Sequence, residues 1–507
     1  MRRSLLLLLA TPLALTACGT TVPSTSQTAG AQSGGTLGST AGSDVNGAPG
    51  QATAGLGVAG STGTLVSGGS STGSLGSSGA SGAGSGAAAT SGSTNGSTDA
   101  GGSGARRVLT PLKVGVVTTD IGAAVAALGA SSSGSKHSSD DGYKAILKAL
   151  NAEGGLVGRR IVVTYYKIDA TSTNYQQEGD KACATFKDAH VEVVLSESAS
   201  TYYGFAGCLA KGGIPLISSN PSDKVGLAQA PWVFGAFSPS YDRGYGAVVD
   251  KLVASGYLTK KSKIGTVRIT CAEVERAYHN TVLARMKAAH LASPIEYSVA
   301  CAAGFNDAGA YSAAMQSAVL RFASSGVDRV FIIGDQETLL LSYFAEQAQN
   351  QNYHPGYALS SGSLPVTLIG ASTFPAQQLP QVHGVGWHPQ GDAKLDPRSP
   401  AEKRCASLST KGGLAPKDIV LTYAIYQDCS NIFLLEAAMK RGNGSATGPT
   451  LRATIPALGT SFASTGILGG ATLFGPNRQD GPQLASEWSY ITSCNCMRYL
   501  GSPSVMR

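Results

Sequence analysis

The run Leu112-Lys113-Val114-Gly115-Val116-Val117, followed by Asp140 to Glu153 and closed by Gly154-Gly155, decides how this chain folds. The first piece is short, apolar and rich in β-branched residues, which suits a strand covered on both faces. The second sets Ile146, Leu147 and Leu150 on one face of a helix, and the glycine pair stops it. Toward the C-terminus the alternation repeats. Strands are predicted at 161–166, 191–195 and 214–217, with helices at 175–188 and 201–210 between them. A second series places helices at 241–255, 273–289, 311–324 and 337–350 around strands at 263–269, 295–299 and 329–333. Repeated βα units with short connections give parallel sheets with helices on both faces. Two such series predict an α/β fold of two doubly wound lobes with a cleft between them. Ligands of open α/β sheets sit outside the carboxyl ends of the strands.

Toward the N-terminus the chain changes character. Met1-Arg2-Arg3 is basic, and Ser4 to Leu15 is an apolar run of about 12 residues, short of the roughly 20 that cross a bilayer as a helix. Residues 1–17 read as an export signal peptide. Leu15-Thr16-Ala17-Cys18 resembles the bacterial lipobox, whose Cys becomes the lipidated first residue of the mature chain. Several acyl chains, at about 0.8 kcal/mol per CH₂, would hold Cys18 at the outer face of the membrane. From Gly19 to Ala105 the composition is almost wholly Gly, Ser, Thr and Ala. Too little apolar surface is available there to offset ordering, so residues 18–105 are expected to be a disordered tether with an r.m.s. span of about 50 Å. Gly55-Leu56-Gly57-Val58-Ala59-Gly60 spells a dinucleotide fingerprint, but without a strand before it or a helix after it the motif means nothing.

Residues 106–507, about 400 in all, suit two packed lobes rather than one small domain. The formal charge of +7 is mild, and the basic clusters Arg106-Arg107 and Lys260-Lys261-Ser262-Lys263 are short. They read as solvated surface, with no nucleic-acid partner. Nine Cys less Cys18 leave eight, an even number that favours disulfides in an exported protein. Cys271 and Cys301 follow successive parallel strands and are expected to pair; Cys183 and Cys208 lie on consecutive helices and form a second candidate pair. Cys405 with Cys429, and Cys494 with Cys496, are weaker pairings. No Cys or His set has zinc-finger spacing, and His383 and His388 read as part of a strand and its turn, so no metal or other cofactor is expected. No Gly-x-Ser-x-Gly elbow, phosphate loop or His-Glu-x-x-His occurs in the folded part, which argues against an enzyme.

A family resemblance rests on particular residues. Leu112–Val117, Asp141-Gly142-Tyr143 opening a helix, and Asn151-Ala152-Glu153-Gly154-Gly155-Leu156-Val157-Gly158 before a strand resemble the opening of type I periplasmic binding proteins. Gly213-Ile214-Pro215-Leu216-Ile217-Ser218, Thr422-Tyr423-Ala424-Ile425-Tyr426 and Phe474-Gly475-Pro476-Asn477-Arg478-Gln479-Asp480-Gly481 continue the match in order. The nearest group is the leucine/isoleucine/valine- and amide-binding family. The resemblance implies two lobes joined by a multi-strand hinge, one of about 108–236 plus 366–474 and the other of about 237–365 plus 475–507. It also implies capture of a small solute (an amino acid, amide or small organic acid) and docking on ABC permease subunits. The same fold could serve a surface sensor or scaffold without a permease. In the family the loop after the third strand holds the ligand's carboxylate, which points to Ser198, Ser200 and Thr201. The next loop supplies Ser219 and Asn220, and the other lobe Tyr278, Asp335 and Ser361. Amino-acid binders of the family place an acid after the strand that here ends Leu359-Ser360-Ser361-Gly362-Ser363. Without it a buried ammonium lacks a partner, an expensive arrangement unless Asp335 substitutes, so the solute is expected not to be an amino acid.

Overall fold

The computed structural model describes residues 109–119, 138, 140–197, 204–220, 222–334, 337–365, 368–369, 374–389, 392, 399–417 and 419–506. Cys18 and the segment 18–105 lie outside them. Two sheets organise the chain. The first runs β2-β1-β3-β4-β5, all parallel: β1 (Leu112–Thr119), β2 (Ile161–Ile168), β3 (Val193–Ser196), β4 (Leu216–Ser218) and β5 (Val233–Phe234). β1 and β3 are almost wholly buried, as their unbroken apolar sequence requires. Four helices accompany this sheet, α1 (Asp141–Ala152), α2 (Tyr175–Asp188), α3 (Phe205–Lys211) and α4 (Lys224–Gln229), and the next, α5 (Tyr241–Ala254), already packs in the second lobe's core. α1 stops where expected, because Gly155 has φ +82° and a Cβ there would stand 1.9 Å from the Arg159 carbonyl oxygen. α2 starts where Asn174 caps the Gln177 N–H at 3.0 Å.

The second sheet runs β12-β11-β10-β9-β8-β6-β7, and β13 (Ser504–Val505) pairs with β11 off this path. Its parallel part is β6 (Ile264–Ile269), β7 (Ile295–Val299), β8 (Arg329–Ile333), β9 (Gly356–Leu359) and β10 (Val382–Gly386). β11 (Leu484–Ile491) and β12 (Cys496–Tyr499) add antiparallel strands. Around it lie α6 (Ala272–Ala277), α7 (Leu283–Ala288), α8 (Phe305–Ser324) and α9 (Glu337–Asn350). The single helix expected at 273–289 is divided by a π-helical turn at Tyr278–Val282. α8 begins six residues earlier than its apolar pattern suggested, where the Asp307 carboxylate accepts the Ala303 and Gly304 N–H groups ahead of its first turn.

The chain then returns to the first lobe, where α10 (Pro400–Gly412), α11 (Ile419–Arg441) and α12 (Gly448–Thr454) cover the sheet face opposite α2 and α3. The lobe boundary therefore needs correcting. Residues 368–369 and 374–387, placed by the sequence in the first lobe, belong to the second, since β10 pairs with β9 and β11 and Leu368, Phe374, Val382, Val385 and Trp387 pack in that core. The chain crosses between lobes from Phe234 to Tyr241, from Gly386 to Pro400 and from Phe474 to Leu484. The first and third crossings are hydrogen-bonded, Gly235 N–H to Gln479 O at 2.9 Å and Gly481 N–H to Gly235 O at 2.7 Å. The buried Asp480 carboxylate there accepts from Ser240 N–H (2.7 Å) and pairs with Arg243 (2.6 Å).

Disulfides join Cys183 to Cys208, Cys271 to Cys301, Cys405 to Cys429 and Cys494 to Cys496. The first staples α2 to α3 and the third α10 to α11, on opposite faces of the first sheet. Among the described residues no helix is long and apolar enough to cross a membrane, and none of their His, Cys, Asp and Glu side chains form a group that could hold a metal.

Candidate functional site

The carboxyl ends of the two sheets face each other. The segments following β2 and β7 hydrogen-bond across the gap, and Asp223, after β4, pairs with Arg276 of α6 at 2.8 Å. The space between is the candidate site.

On the first lobe the site is built where β3 and β4 end beneath α11. The Asn431 amide nitrogen lies 2.8 Å from Ser196 O, 2.8 Å from the Tyr143 hydroxyl and 3.0 Å from Ser219 Oγ. Ser219 is fully buried and its N–H donates back to Ser196 O at 3.0 Å, so its hydroxyl holds two strand ends together. Asn220 is half-buried, with its main-chain oxygen accepting from Ser218 Oγ. Ser198, Ser200 and Thr201 lie outside the described residues. The loop that carries them starts at Glu197, whose carbonyl accepts from Gln427 Nε2.

Glu197 brings an acid that the sequence reading passed over. Its side chain and that of Asp428 are 9% and 1% exposed, and the Asp428 carboxylate lies against Gly142 at the start of α1. Glu197 Oε1, both Asp428 oxygens and Asn431 Oδ1 lack a well-aligned donor; the two carboxyls lie within reach of each other, and the Tyr143 N–H at the start of α1 is the donor nearest Asp428. Burial, with Asp140 nearby, lifts Glu197 to about 8; burial and then the Glu197 charge push Asp428 well above the carboxylate range. Buried acceptors facing one another without a donor are held together by a proton, so the pair carries at least one at neutral pH. Asp428 and Asn431 sit in the stripe of α11 that buries Ile425, Cys429 and Ile432, and polar residues in a buried stripe were the available signal.

The second lobe is different. Asp335 lies outside the described residues. Glu337, the first residue of α9, brings a carboxylate to the end of β9, but accepts the Ser360 N–H at 2.8 Å and the Ser360 hydroxyl at 2.6 Å. It is 1% exposed, and burial raises it to about 7. Ser361 is also buried, and its Oγ accepts the Trp387 N–H at 2.9 Å, tying the end of β9 to β10. Tyr278 is not a cleft aromatic here. It opens the π-helical turn inside the lobe's core, with its hydroxyl 3.0 Å from Thr266 Oγ1 and Arg268 over its ring at 4.6 Å. The extra residue of that turn rotates the side chain inward. At the crossings Phe237 stacks on His388 (4.2 Å), and Tyr423 meets both edge-on. The buried His388 donates from Nδ1 to Gly466 O at 2.6 Å, and desolvation lowers it to about 3.

Two α/β lobes, three crossings and facing strand ends match the periplasmic binding protein family, whose sequence pattern the chain fits over residues 111–485. The chain belongs to that family. As a periplasmic binding protein of the type I fold, it captures solute rather than transforming it. Solved structures agree in fold. The solute-binding protein of an ABC transporter from R. palustris, in complex with 4-hydroxybenzoate, is 12% identical with a TM-score of 0.55, covering 78% of this chain and 98% of that one. A branched-chain amino acid transporter substrate-binding protein from Streptococcus pneumoniae, with isoleucine, is 13% identical with a TM-score of 0.54, covering 78% and 99%. A possible leucine/isoleucine/valine-binding protein from Rhodopirellula baltica is 15% identical with a TM-score of 0.53, covering 78% and 97%. No curated protein matches the chain.

Proposed function

We propose that this protein is a lipid-anchored, extracytoplasmic solute-binding subunit that takes a small carboxylate-bearing or amide solute between its lobes and delivers it to an ABC permease. The observation that carries this reading is the facing of the two sheets' carboxyl ends across three crossings, a geometry built for closing around a ligand. The anchor rests on Cys18 in its lipobox, and the Gly/Ser-rich segment behind it supplies the reach. Cys18→Ala is expected to release the protein from the membrane fraction or leave its precursor uncleaved; unaltered retention and processing would remove the anchor from the proposal.

The solute is a short organic acid or amide without an ammonium group. On the second lobe the Glu337 carboxylate is buried and saturated by Ser360. On the first, burial pushes both Glu197 and Asp428 toward their protonated, neutral forms. Structural relatives with 4-hydroxybenzoate make aromatic acids a sensible first panel beside leucine. Mass spectrometry of whatever co-purifies, followed by thermal shifts, tests this. An organic acid is expected to raise the melting temperature, by about 2.7 kcal/mol of stability at a hundredfold excess over Kd. Tight leucine binding, undisturbed by Asp335→Asn, would overturn the charge argument.

A further inference from the structure

The two lobes touch at the sheet edges most distant from the crossings, and the contact there is made by main chain. β2 is the outer strand of the first sheet and β7 of the second, whereas the crossings leave from β5, β10 and β11. The segment after β2 leads into α2 and the segment after β7 into α8. Tyr175, the first residue of α2, donates its N–H to Ala303 O at 2.8 Å; Phe305, the first residue of α8, donates its N–H to Ser172 O at 2.7 Å. The first N–H groups of a helix have no acceptor within it. Here each lobe supplies the acceptor for the other lobe's helix.

Both sides are braced for this. In the second lobe Cys301 is bonded to Cys271, and the Asp307 carboxylate receives the Ala303 N–H at 2.8 Å and the Gly304 N–H at 3.3 Å. In the first lobe the Asp169 carboxylate accepts the Thr171 N–H at 2.8 Å, and the Tyr175 ring packs onto the second lobe's core. Gly304 sits between Ala303, whose carbonyl accepts, and Phe305, whose N–H donates. Its φ of −167° is open to any residue, so conformation does not demand glycine. Space does: a Cβ at Gly304 would stand 2.2 Å from the Thr173 carbonyl oxygen, and main chain cannot swing aside as a long side chain would. Nearer the middle of the cleft, buried Asp223 receives Arg276 Nε and Nη2, each at 2.8 Å, while also capping Gly226 N–H at 3.0 Å.

We propose that these reciprocal helix caps are the latch of the cleft, with Gly304 the residue that allows the lobes to meet and Asp223–Arg276 a second clasp. None of these groups is among the strand-end residues Glu197, Ser219, Asp428, Asn431, Glu337 and Ser361 described above. The latch therefore contributes equally to every solute by favouring the closed state, and the residues inside the cleft do the choosing.

Amide hydrogen exchange on the full-length protein as purified tests the latch, independently of what the solute is. The Tyr175 and Phe305 amides are expected to be protected in the wild type. Gly304→Val should speed exchange at Tyr175, on the opposite lobe, tenfold or more, leaving the amides of the middle of α2 unchanged and enlarging the radius of gyration in solution scattering. Gly304→Ser keeps a good helix cap in place, so the same loss at Tyr175 in that variant excludes damage confined to α8. Arg276→Ala should produce a smaller gain in exchange at Tyr175. Free exchange of Tyr175 in the wild type, or undiminished protection in Gly304→Val, would overturn the latch.

Discussion

At the strand ends of the first lobe, Glu197, Asp428 and Asn431 crowd buried acceptor oxygens together with few donors, whereas at those of the second lobe the Glu337 carboxylate is met by Ser360 and the Ser361 hydroxyl by the Trp387 main-chain N–H. The difference separates two roles. A surface with unmet hydrogen-bonding capacity can respond to protons and solutes, while a saturated one can only press against what the other holds. The most exacting comparison is between the two buried acids. Glu197 and Glu337 both stand at carboxyl ends of strands and both titrate high, to about 8 and about 7. Their removal is nevertheless expected to act with opposite sign.

Glu197 gives the largest effect. An unfolded glutamate titrates near 4.3, so between that value and about 8 the unfolded chain has released a proton that the folded chain still holds. Stability therefore falls as pH rises through this window and levels off on either side. Burial and Asp140 oppose ionisation of Glu197, the hydrogen bond with Asp428 and the charge of Lys167 favour it, and Tyr143 and Tyr165, themselves raised, stay neutral throughout. Glu197→Gln should raise stability at pH 8 by on the order of 3 kcal/mol and flatten the decline. Denaturant titrations of both proteins at pH 5 and pH 8 check this. A steeper decline in the variant would show that the pair is not sharing a proton.

Glu337 should behave the other way. Glu337→Ala leaves the Ser360 N–H and hydroxyl without acceptors in a buried place, which costs about 2–3 kcal/mol. Glu337→Gln keeps a carbonyl for the N–H and should lose less, while removing any pH dependence below about 7. If Glu337→Ala were neutral, Ser360 would have to find another acceptor and the second lobe would be less saturated than its hydrogen bonds indicate.

The disulfides offer a further contrast. Cys183–Cys208 and Cys405–Cys429 both clamp helices of the first lobe, closing loops with sequence separations of 25 and 24 residues, and each is worth about 3.5 kcal/mol by chain entropy. Replacing either pair with Ser should lower the melting temperature without altering solute preference. Cys494–Cys496, with a separation of 2, should matter least.

How far the sequence was readable follows the same physics. The strand at 329–333 falls where its apolar run Val330-Phe331-Ile332-Ile333 lies, because local pattern and burial agree there. β10 was legible only as a strand around His383, since Val382-His383-Gly384-Val385-Gly386 carries two glycines and its bounds come from pairing with β9 and β11. Ser219 and Ser361 were placed at strand ends, but their hydroxyls serve neighbouring segments rather than open space. The Glu197–Asp428 pair was out of reach of local pattern, because it exists only once α11 returns to the first lobe.

Tyr278 gives the smallest effect and the sharpest check on the comparison. The resemblance implied a cleft aromatic, yet the residue lies in the second lobe's core with its hydroxyl on Thr266 and Arg268 across its face. Tyr278→Phe keeps the ring, the packing and the cation over it, and removes one buried hydroxyl. The expected cost is about 1 kcal/mol of stability, since Thr266 retains its own hydroxyl proton and can turn it elsewhere. Affinity for the solute recovered from the purified protein should be unchanged. Calorimetry on both proteins separates the two quantities. A tenfold weaker solute with an unaltered melting temperature would put Tyr278 in the cleft, and would mean that the second lobe selects solutes as well as closing on them.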